Sequence, residues 1–428
     1  MDCYVIEGGN PLVGEINLQG SKNSSLPILA ACLLNKGICE LENCPDIKDT
    51  DTALEILANL GCKVFKDKNK VVVDSSECKK YIIKDSLMNK MRSSIVFLGS
   101  LLATNKQAVV SYPGGCCLGE RPIDIHIKAL KDLGGAIYEI YGSLYCLFDK
   151  AQAKEITLKY PSVGATENVV IASVFNKGKT IINNAAKEPE IVHLQNFLNE
   201  MGAKIEGAGT EKIVIVGVDR LKEKVTYKIP SDRIALVTYL TSAVVTGGKV
   251  KINNITENNA LNELKIFEKM GSRIIYGNDY VEIIADEKLS SFGKIKTSPY
   301  PGFPTDSQPF MCLAGAMAKG ESVIEETIFE NRFEYARELK KFNCNIKIEN
   351  NKLTVKQSIL KNAQCCACDL RGGATLCLAA LCSSGISRVY DEGHIVRGYE
   401  DFEENIRSLG GKIKKVYEEE KSTERVGR

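Results

Sequence analysis

The chain carries almost no excess charge: 56 Lys and Arg stand against 54 Asp and Glu, a formal +2 over 428 residues. A surface so close to neutral has no broad field to attract nucleic acid or an anionic membrane, so neither is expected as a partner. Long apolar runs are missing too. No segment reaches the roughly 18 unbroken apolar residues that span a bilayer, and the opening MDCYVIEGGNPLVGEINLQG lacks the basic-then-apolar order of a secretory leader. A cytoplasmic protein is expected. Histidine is scarce, with His126, His193 and His394 scattered along the chain. Cys365 and Cys368 make one CxxC, but zinc sites need a second pair or matching histidines, so no metal and no cofactor are expected. The 16 cysteines fall far below the roughly 8–10% of disulfide scaffolds. They read mostly as free thiols used as small apolar residues.

What the chain has instead is internal repetition. The phrases NLGCKV, DLGGAI, EMGAKI, KMGSRI, KFNCNI and SLGGKI recur about 70 residues apart, around Gly61, Gly134, Gly202, Gly271, Asn343 and Gly410. A fixed period marks a repeated supersecondary unit. Ahead of each phrase lies a small-residue apolar segment that predicts a buried helix: KNSSLPILAACLL, RSSIVFLGSLLA, ATENVVIASVF, DRIALVTYLTSAVV, DSQPFMCLAGAMA and RGGATLCLAALCS. Each unit is expected to run helix, strand, helix, strand, strand, with the phrase's glycine turning the chain at a helix end. Six units in a chain too long for one core predict an α/β protein of two domains, three units each. A solenoid, in which each unit touches only its neighbours, is the alternative.

Chemistry gathers at the starts of those helices, where unpaired N–H groups and the helix dipole favour anions. Four of the six carry a cation, at Lys22 (beside Asn23), Arg92, Arg233 and Arg371. An ordinary surface cation is the simpler reading for any one of them. Recurrence at equivalent positions in a nearly neutral chain favours a multi-cation anion site. Elsewhere SYPGGCCLGERPIDIHI, residues 111–127, places Cys116, Cys117 and Arg121 in a glycine-rich loop suited to opening and closing over a site.

GSKNSSLPIL at 20–29, MRSSI at 91–95, PGGCCLGERPIDIHI at 113–127, SVGATEN at 162–168, FPTDSQ at 303–308, IFENRF at 328–333 and HIVRGYE at 394–400 resemble the UDP-N-acetylglucosamine 1-carboxyvinyltransferases, a family of enolpyruvyl transferases. The match keeps its order from about residue 4 to 416. It implies an inside-out α/β barrel fold in two domains, residues 21–230 and residues 1–20 plus 231–428, each of three βαβαββ-like repeats with the active site in the cleft between them. It implies transfer of the enolpyruvyl group of phosphoenolpyruvate to the 3-hydroxyl of UDP-N-acetylglucosamine, with release of phosphate, as the first committed step towards peptidoglycan.

By the same resemblance Cys116 protonates the enol carbon, Asp306 accepts the hydroxyl proton, and Lys22 and Arg397 serve catalysis from the phosphate side. Arg121 joins that side, Arg332 and Arg371 take the carboxylate, and Asn23 hydrogen-bonds the developing tetrahedral centre. Arg92, Arg121, Pro122, Ile123, Asp124, Ile125, Ser162, Val163, Gly164 and Ile328 meet the nucleotide sugar. Cys117 points elsewhere, since consecutive residues of an extended loop face different ways. An exposed aspartate is a weak base at pH 7, so burial is expected to raise the Asp306 pKa or contact geometry to compensate. The thiol is the expected target of an epoxide phosphonate such as fosfomycin.

The chain also departs from the family pattern. Tyr160 replaces a lysine, SDRIALVT stands for PDRIEAGT with Ala235 and Val237 in place of an acidic residue and a glycine, and Val396 replaces an aspartate in HIVRGYE. Two alternatives stay open: the sister activity towards shikimate 3-phosphate, and an inactive or regulatory paralogue of the same fold.

Overall fold

The computed structural model describes residues 1–114, 123–256, 260–285 and 288–418. In the first unit, helix Lys22–Ala31 leads to strand Ile38–Glu42, helix Lys48–Leu60 and the hairpin strands Lys63–Asp67 and Lys70–Asp74. The same order recurs from helices Phe97–Asn105, Val163–Ser173, Arg233–Thr246 and Gln308–Met317. In the second unit, residues Arg92–Val96 add a 3₁₀ turn ahead of the helix. The first helix of each unit is apolar on every side and sits in the interior. The second is amphipathic and lies outside, ending where the recurring phrase begins. Gly61 and Gly271 close two of these outer helices at φ 104° and 113°, a left-handed conformation that a side chain would strain.

The sixth unit breaks the order. Helix Leu370–Cys382 is followed by strand Gly385–Asp391, helix Phe402–Ser408 and strand Lys412–Tyr417, and the missing central strand comes from the N-terminus. Asp2–Gly8 lies between those two strands, antiparallel to both. Val13–Asn17 then joins the fourth unit's sheet, parallel to Lys249–Asn253. In the first half, Lys224–Lys228 returns to pair in parallel with Ile38–Glu42 of the first unit. Both halves therefore close on themselves through strands remote in sequence.

Each half has its own core. One gathers buried apolar residues from Leu26 to Ile229, the other those from Tyr4 to Leu18 and from Ile234 to Ile413. In the second half the three inner helices Arg233–Thr246, Gln308–Met317 and Leu370–Cys382 pack pairwise, so the first touches the third as well as the second. That closure is incompatible with a solenoid. The two departures Ala235 and Val237 are wholly buried in this helix cluster, where an acid would need a partner and a glycine would leave a gap.

The chain passes between the halves twice, and the two crossings lie side by side. Ser21 N–H donates to Pro230 O at 2.7 Å, and Asp232 N–H donates to Gln19 O at 3.0 Å. Ser21 and Asp232 are also the caps of the helices that follow, accepting from Ser24 N and from Ile234 N and Ala235 N. The crossings thus fix both helix starts, and with them Lys22 and Arg233, at the junction of the halves.

Candidate active site between the halves

A cavity of about 600 Å³ opens between the two halves at these helix starts, within the usual size of a ligand pocket. From the first half, Lys22, Asn23, Arg92, Asp124, Ile125, Ser162, Val163 and Gly164 line it; from the second, Asp306, Ile328, Arg332, Arg371 and Arg397 do. Ile123 does not: it is buried in the first core, and the wall is made by the next two residues. Cys116, Cys117, Arg121 and Pro122 lie outside the described residues.

Asp49 ties two of the cavity's cations together. Its Oδ2 stands 2.9 Å from Lys22 Nζ, and its Oδ1 accepts from Arg397 Nε at 2.8 Å, so one carboxylate ties together the two halves and two of the site cations. Burial alone would raise the Asp49 pKa; Lys22 and Arg397 outweigh it and hold the group below the usual carboxylate range. Burial also pulls the Lys22 ammonium below the ordinary lysine range. Asp49 opposes that fall, while Arg371 and Arg397 add to it.

Asp306 is clamped between two guanidiniums. Arg332 Nη2 lies 3.3 Å from its Oδ1, and Arg371 Nε lies 3.8 Å from its Oδ2. Burial raises the Asp306 pKa, but Arg371, Arg332, Lys22 and Arg233 together hold the carboxyl below its usual range. Of the two expected routes to a working base, a pKa raised by burial is not the one found, since four cations outweigh the desolvation; contact geometry is the route left. Asp306 is therefore ionised at neutral pH.

The two arginines differ in what they have left to offer. Arg332 is committed to the protein, donating to Thr305 O, Asp306 and, through Nη1 at 3.2 Å, Asp369. Arg371 is 2% exposed, yet its Nε and Nη1 have no hydrogen-bond partner among the described residues. Its guanidinium packs 5.1 Å from the Tyr399 ring centroid, which fixes its plane. Buried charged donors without acceptors are costly, and these line the cavity. They are suited to a planar anion.

One wall of the cavity is acidic. Glu167, Glu188 and Glu190 line it together with Tyr160, which is 41% exposed. Glu167 is 5% exposed; burial first, then Glu190 and Glu188, push its carboxyl up to about 8. The folded state therefore keeps a proton that the unfolded chain loses near pH 4.5, and stability falls as pH rises from there to about 8. Glu167→Gln removes this titration. In unfolding followed across pH, the variant's stability should gain on that of the native protein from pH 5 to 9, by about a few kcal/mol at roughly 1.4 kcal/mol per pKa unit, and its Tm should rise relative to native over the same range. Parallel Tm curves would contradict the assignment.

Sequence reasoning did not single out Asp49, although it carries a signal: it falls in phase with Ala53, Ile56 and Leu60 on the buried stripe of its helix. Cys368, half of the CxxC in the sequence, has a second feature. It also lines the cavity; burial pushes its thiol up to about 11, and its Sγ donates to Cys366 O.

Residues 6–406 match the family model described as EPSP synthase (3-phosphoshikimate 1-carboxyvinyltransferase). A protein of Caldanaerobacter subterraneus subsp. tengcongensis named UDP-N-acetylglucosamine 1-carboxyvinyltransferase 2 is 44% identical over 417 residues, covering 97% of this chain and 100% of the relative. UDP-N-acetylglucosamine 1-carboxyvinyltransferase of Finegoldia magna is 41% identical, over 97% of this chain and 99% of its own. Among solved structures, the enolpyruvyl transferase NikO from Streptomyces tendae superimposes with a TM-score of 0.88 at 25% identity, over 97% and 98% of the two chains. EPSP synthase from Acinetobacter baumannii gives 0.75 at 18% identity, over 97% and 100%, a likeness of fold.

Proposed function

The chain belongs to the EPSP synthase family of carboxyvinyl (enolpyruvyl) transferases, and from that membership we propose that it transfers the enolpyruvyl group of phosphoenolpyruvate to the 3-hydroxyl of UDP-N-acetylglucosamine, releasing phosphate. The carrying observation is the contrast in likeness: 40–44% identity over nearly the whole chain to the relatives so named, against 18% to a solved EPSP synthase. The fold we propose is the inside-out α/β barrel in two domains, residues 21–230 and residues 1–20 with 231–428. The cellular setting we propose is the cytoplasm, in peptidoglycan precursor synthesis that supports cell shape and division.

In this reading Lys22 and Arg397, paired through Asp49, hold the phosphate of phosphoenolpyruvate, and Arg371 takes its carboxylate. Arg332, which the resemblance puts with Arg371 at the carboxylate, is committed to Thr305, Asp306 and Asp369 and acts here through Asp306, whose position it fixes. Cys116 gives a proton to the enol CH₂ carbon as the sugar hydroxyl adds to C2, with Asp306 accepting the hydroxyl proton and Asn23 bonding the tetrahedral centre. The C2–O bond to phosphate then breaks, and a proton lost from the same carbon leaves the enol ether. Arg92, Asp124, Ile125, Ser162, Val163, Gly164 and Ile328 surround the nucleotide sugar, with Arg121 and Pro122 from the loop. Purified protein with phosphoenolpyruvate should release phosphate on addition of UDP-N-acetylglucosamine and remain silent with shikimate 3-phosphate. The opposite pattern would transfer the chain to the sister activity, and silence with both to a non-catalytic role.

A further inference from the structure

One cluster at the cavity wall has no part in the reaction as described above, yet it spans both halves. Arg233, at the first position of its helix in the second half, points its Nε at Glu190 Oε1 of the first half, 3.0 Å away, with Nη2 at 3.5 Å from Oε2. The two side chains are 11% and 5% exposed, so this is a buried, forked ion pair across the cleft. A second link runs alongside it, from Tyr300 N–H to Glu188 Oε1 at 3.3 Å, and Arg233 lies 6.0 Å from the Tyr300 ring centroid. Glu263, whose charge also acts on Arg233, is 2% exposed and accepts from Ser307 Oγ at 2.7 Å. Ser307 is wholly buried and follows Asp306 in the chain.

We propose that Arg233 is a positioning residue: by gripping Glu190 across the cleft, it ties the approach of the two halves to the placement of Asp306. The inference rests on the enolpyruvyl-transfer reading, because it gives Arg233 its effect through the group that receives the hydroxyl proton. A buried ion pair is weak evidence for stability, since desolvation offsets much of the attraction. Its forked geometry does fix a distance and an orientation. Losing the fork should loosen the first half's grip on the start of the Arg233 helix, whose guanidinium is one of the cations facing Asp306.

Two consequences separate positioning from mere structure. The first is kinetic: a misplaced Asp306 lowers kcat more than it raises KM, by about 100-fold for a shift near 1 Å. The second is electrostatic. Asp306 is faced by Arg371 and Arg332 from its own half, by Lys22 from the other, and by Arg233; Asp369 sits on Arg332, and Asp49 on Lys22. Taking away Arg233 removes one of the four cations that keep the carboxylate ionised, so the acid limb of kcat/KM should move to higher pH. Glu190→Gln breaks the same pair but leaves Arg233 in place, and that limb should stay where it is.

The experiment measures kcat, KM for both substrates and the pH profile for native protein, R233Q, R233K and E190Q, with Tm alongside. The expected results are a kcat loss near 100-fold in R233Q with a raised acid limb, substantial recovery in R233K, and a kcat loss in E190Q with the limb unmoved. Should R233Q not fold, the kcat loss in E190Q carries the test. An active native protein whose R233Q and E190Q forms melt earlier but keep kcat and pH profile would overturn the inference alone. A native protein inert with UDP-N-acetylglucosamine would overturn the functional reading and the inference with it.

Discussion

Asp306→Asn should abolish most turnover, by about 10²–10⁴-fold if the carboxylate is the proton acceptor, while the KM for phosphoenolpyruvate stays level or falls. The asymmetry comes from the charges around it. Asn is nearly the same shape, and its carbonyl can still accept from Arg332 Nη2, now 3.3 Å from Oδ1. It cannot take a proton, so kcat falls. It also no longer neutralises Arg332 and Arg371, which lie 3.3 and 3.8 Å from the carboxylate, so the buried cations attract an anionic substrate more strongly. Because those cations hold the Asp306 carboxyl below its usual range, the activity it supports is present above that lowered value and lost only as pH falls through it. The native protein should therefore show no loss of kcat/KM attributable to Asp306 between pH 5 and 7. Steady-state kinetics of native protein and D306N across pH test both parts. A D306N enzyme with kcat within a few-fold of native would remove Asp306 from the proton transfer.

Such a carboxylate is a weak base, and this bears on when the hydroxyl proton moves. A group kept ionised by four cations gains little by accepting a proton from a neutral alcohol. Transfer becomes favourable only as the C–O bond forms and the hydroxyl turns acidic. The role for Asp306 that agrees with its surroundings is to orient the hydroxyl and receive the proton late. This also explains why its placement, through Arg332 on one side and the Ser307–Glu263 contact on the other, carries more weight than its basicity.

The inner helices could be read from the sequence because their signal is local. A run such as DRIALVTYLTSAVV is apolar around its whole circumference, and the phrase after each unit marks the end of an outer helix. Ring closure could not be read the same way. DCYVIEG alternates as a strand should, but nothing within seven residues says that its partners lie at Gly385–Asp391 and Lys412–Tyr417. The site divides along the same line. Lys22 and Arg371 stand out because cations recur at helix starts, while Glu190 reads as an ordinary acid in the first turn of a helix, where the dipole favours one. Its partner Arg233 is 43 residues away on the other half. Whether a charge is committed, as for Arg332, or left with open donors, as for Arg371, depends on contacts across the fold.

Cys116→Ala should be the most damaging change in the glycine-rich loop, and Cys117→Ala nearly neutral. Protonating an enol carbon needs an acid held at that carbon, and an ordinary thiol with a pKa near 8.5 is mostly protonated at pH 7. Alanine offers no proton, and among the described residues the cleft supplies no ready substitute. Glu167 holds one, but on the acidic wall beside Glu188 and Glu190; the Lys22 ammonium is paired with Asp49 at 2.9 Å. The loss in phosphate release should therefore reach about 10²–10⁴-fold. An epoxide phosphonate gives a second, covalent readout, because only a thiolate opens the ring and only a site for phosphate draws the reagent in. Cys368 is the internal control: it lines the same cavity, but burial pushes its thiol up to about 11, so it is almost wholly protonated at pH 7. Mass mapping should find one adduct, on Cys116, in the native protein and in C117A, and none in C116A. An adduct on Cys117 or Cys368, or full turnover by C116A, would take the acid's role away from Cys116.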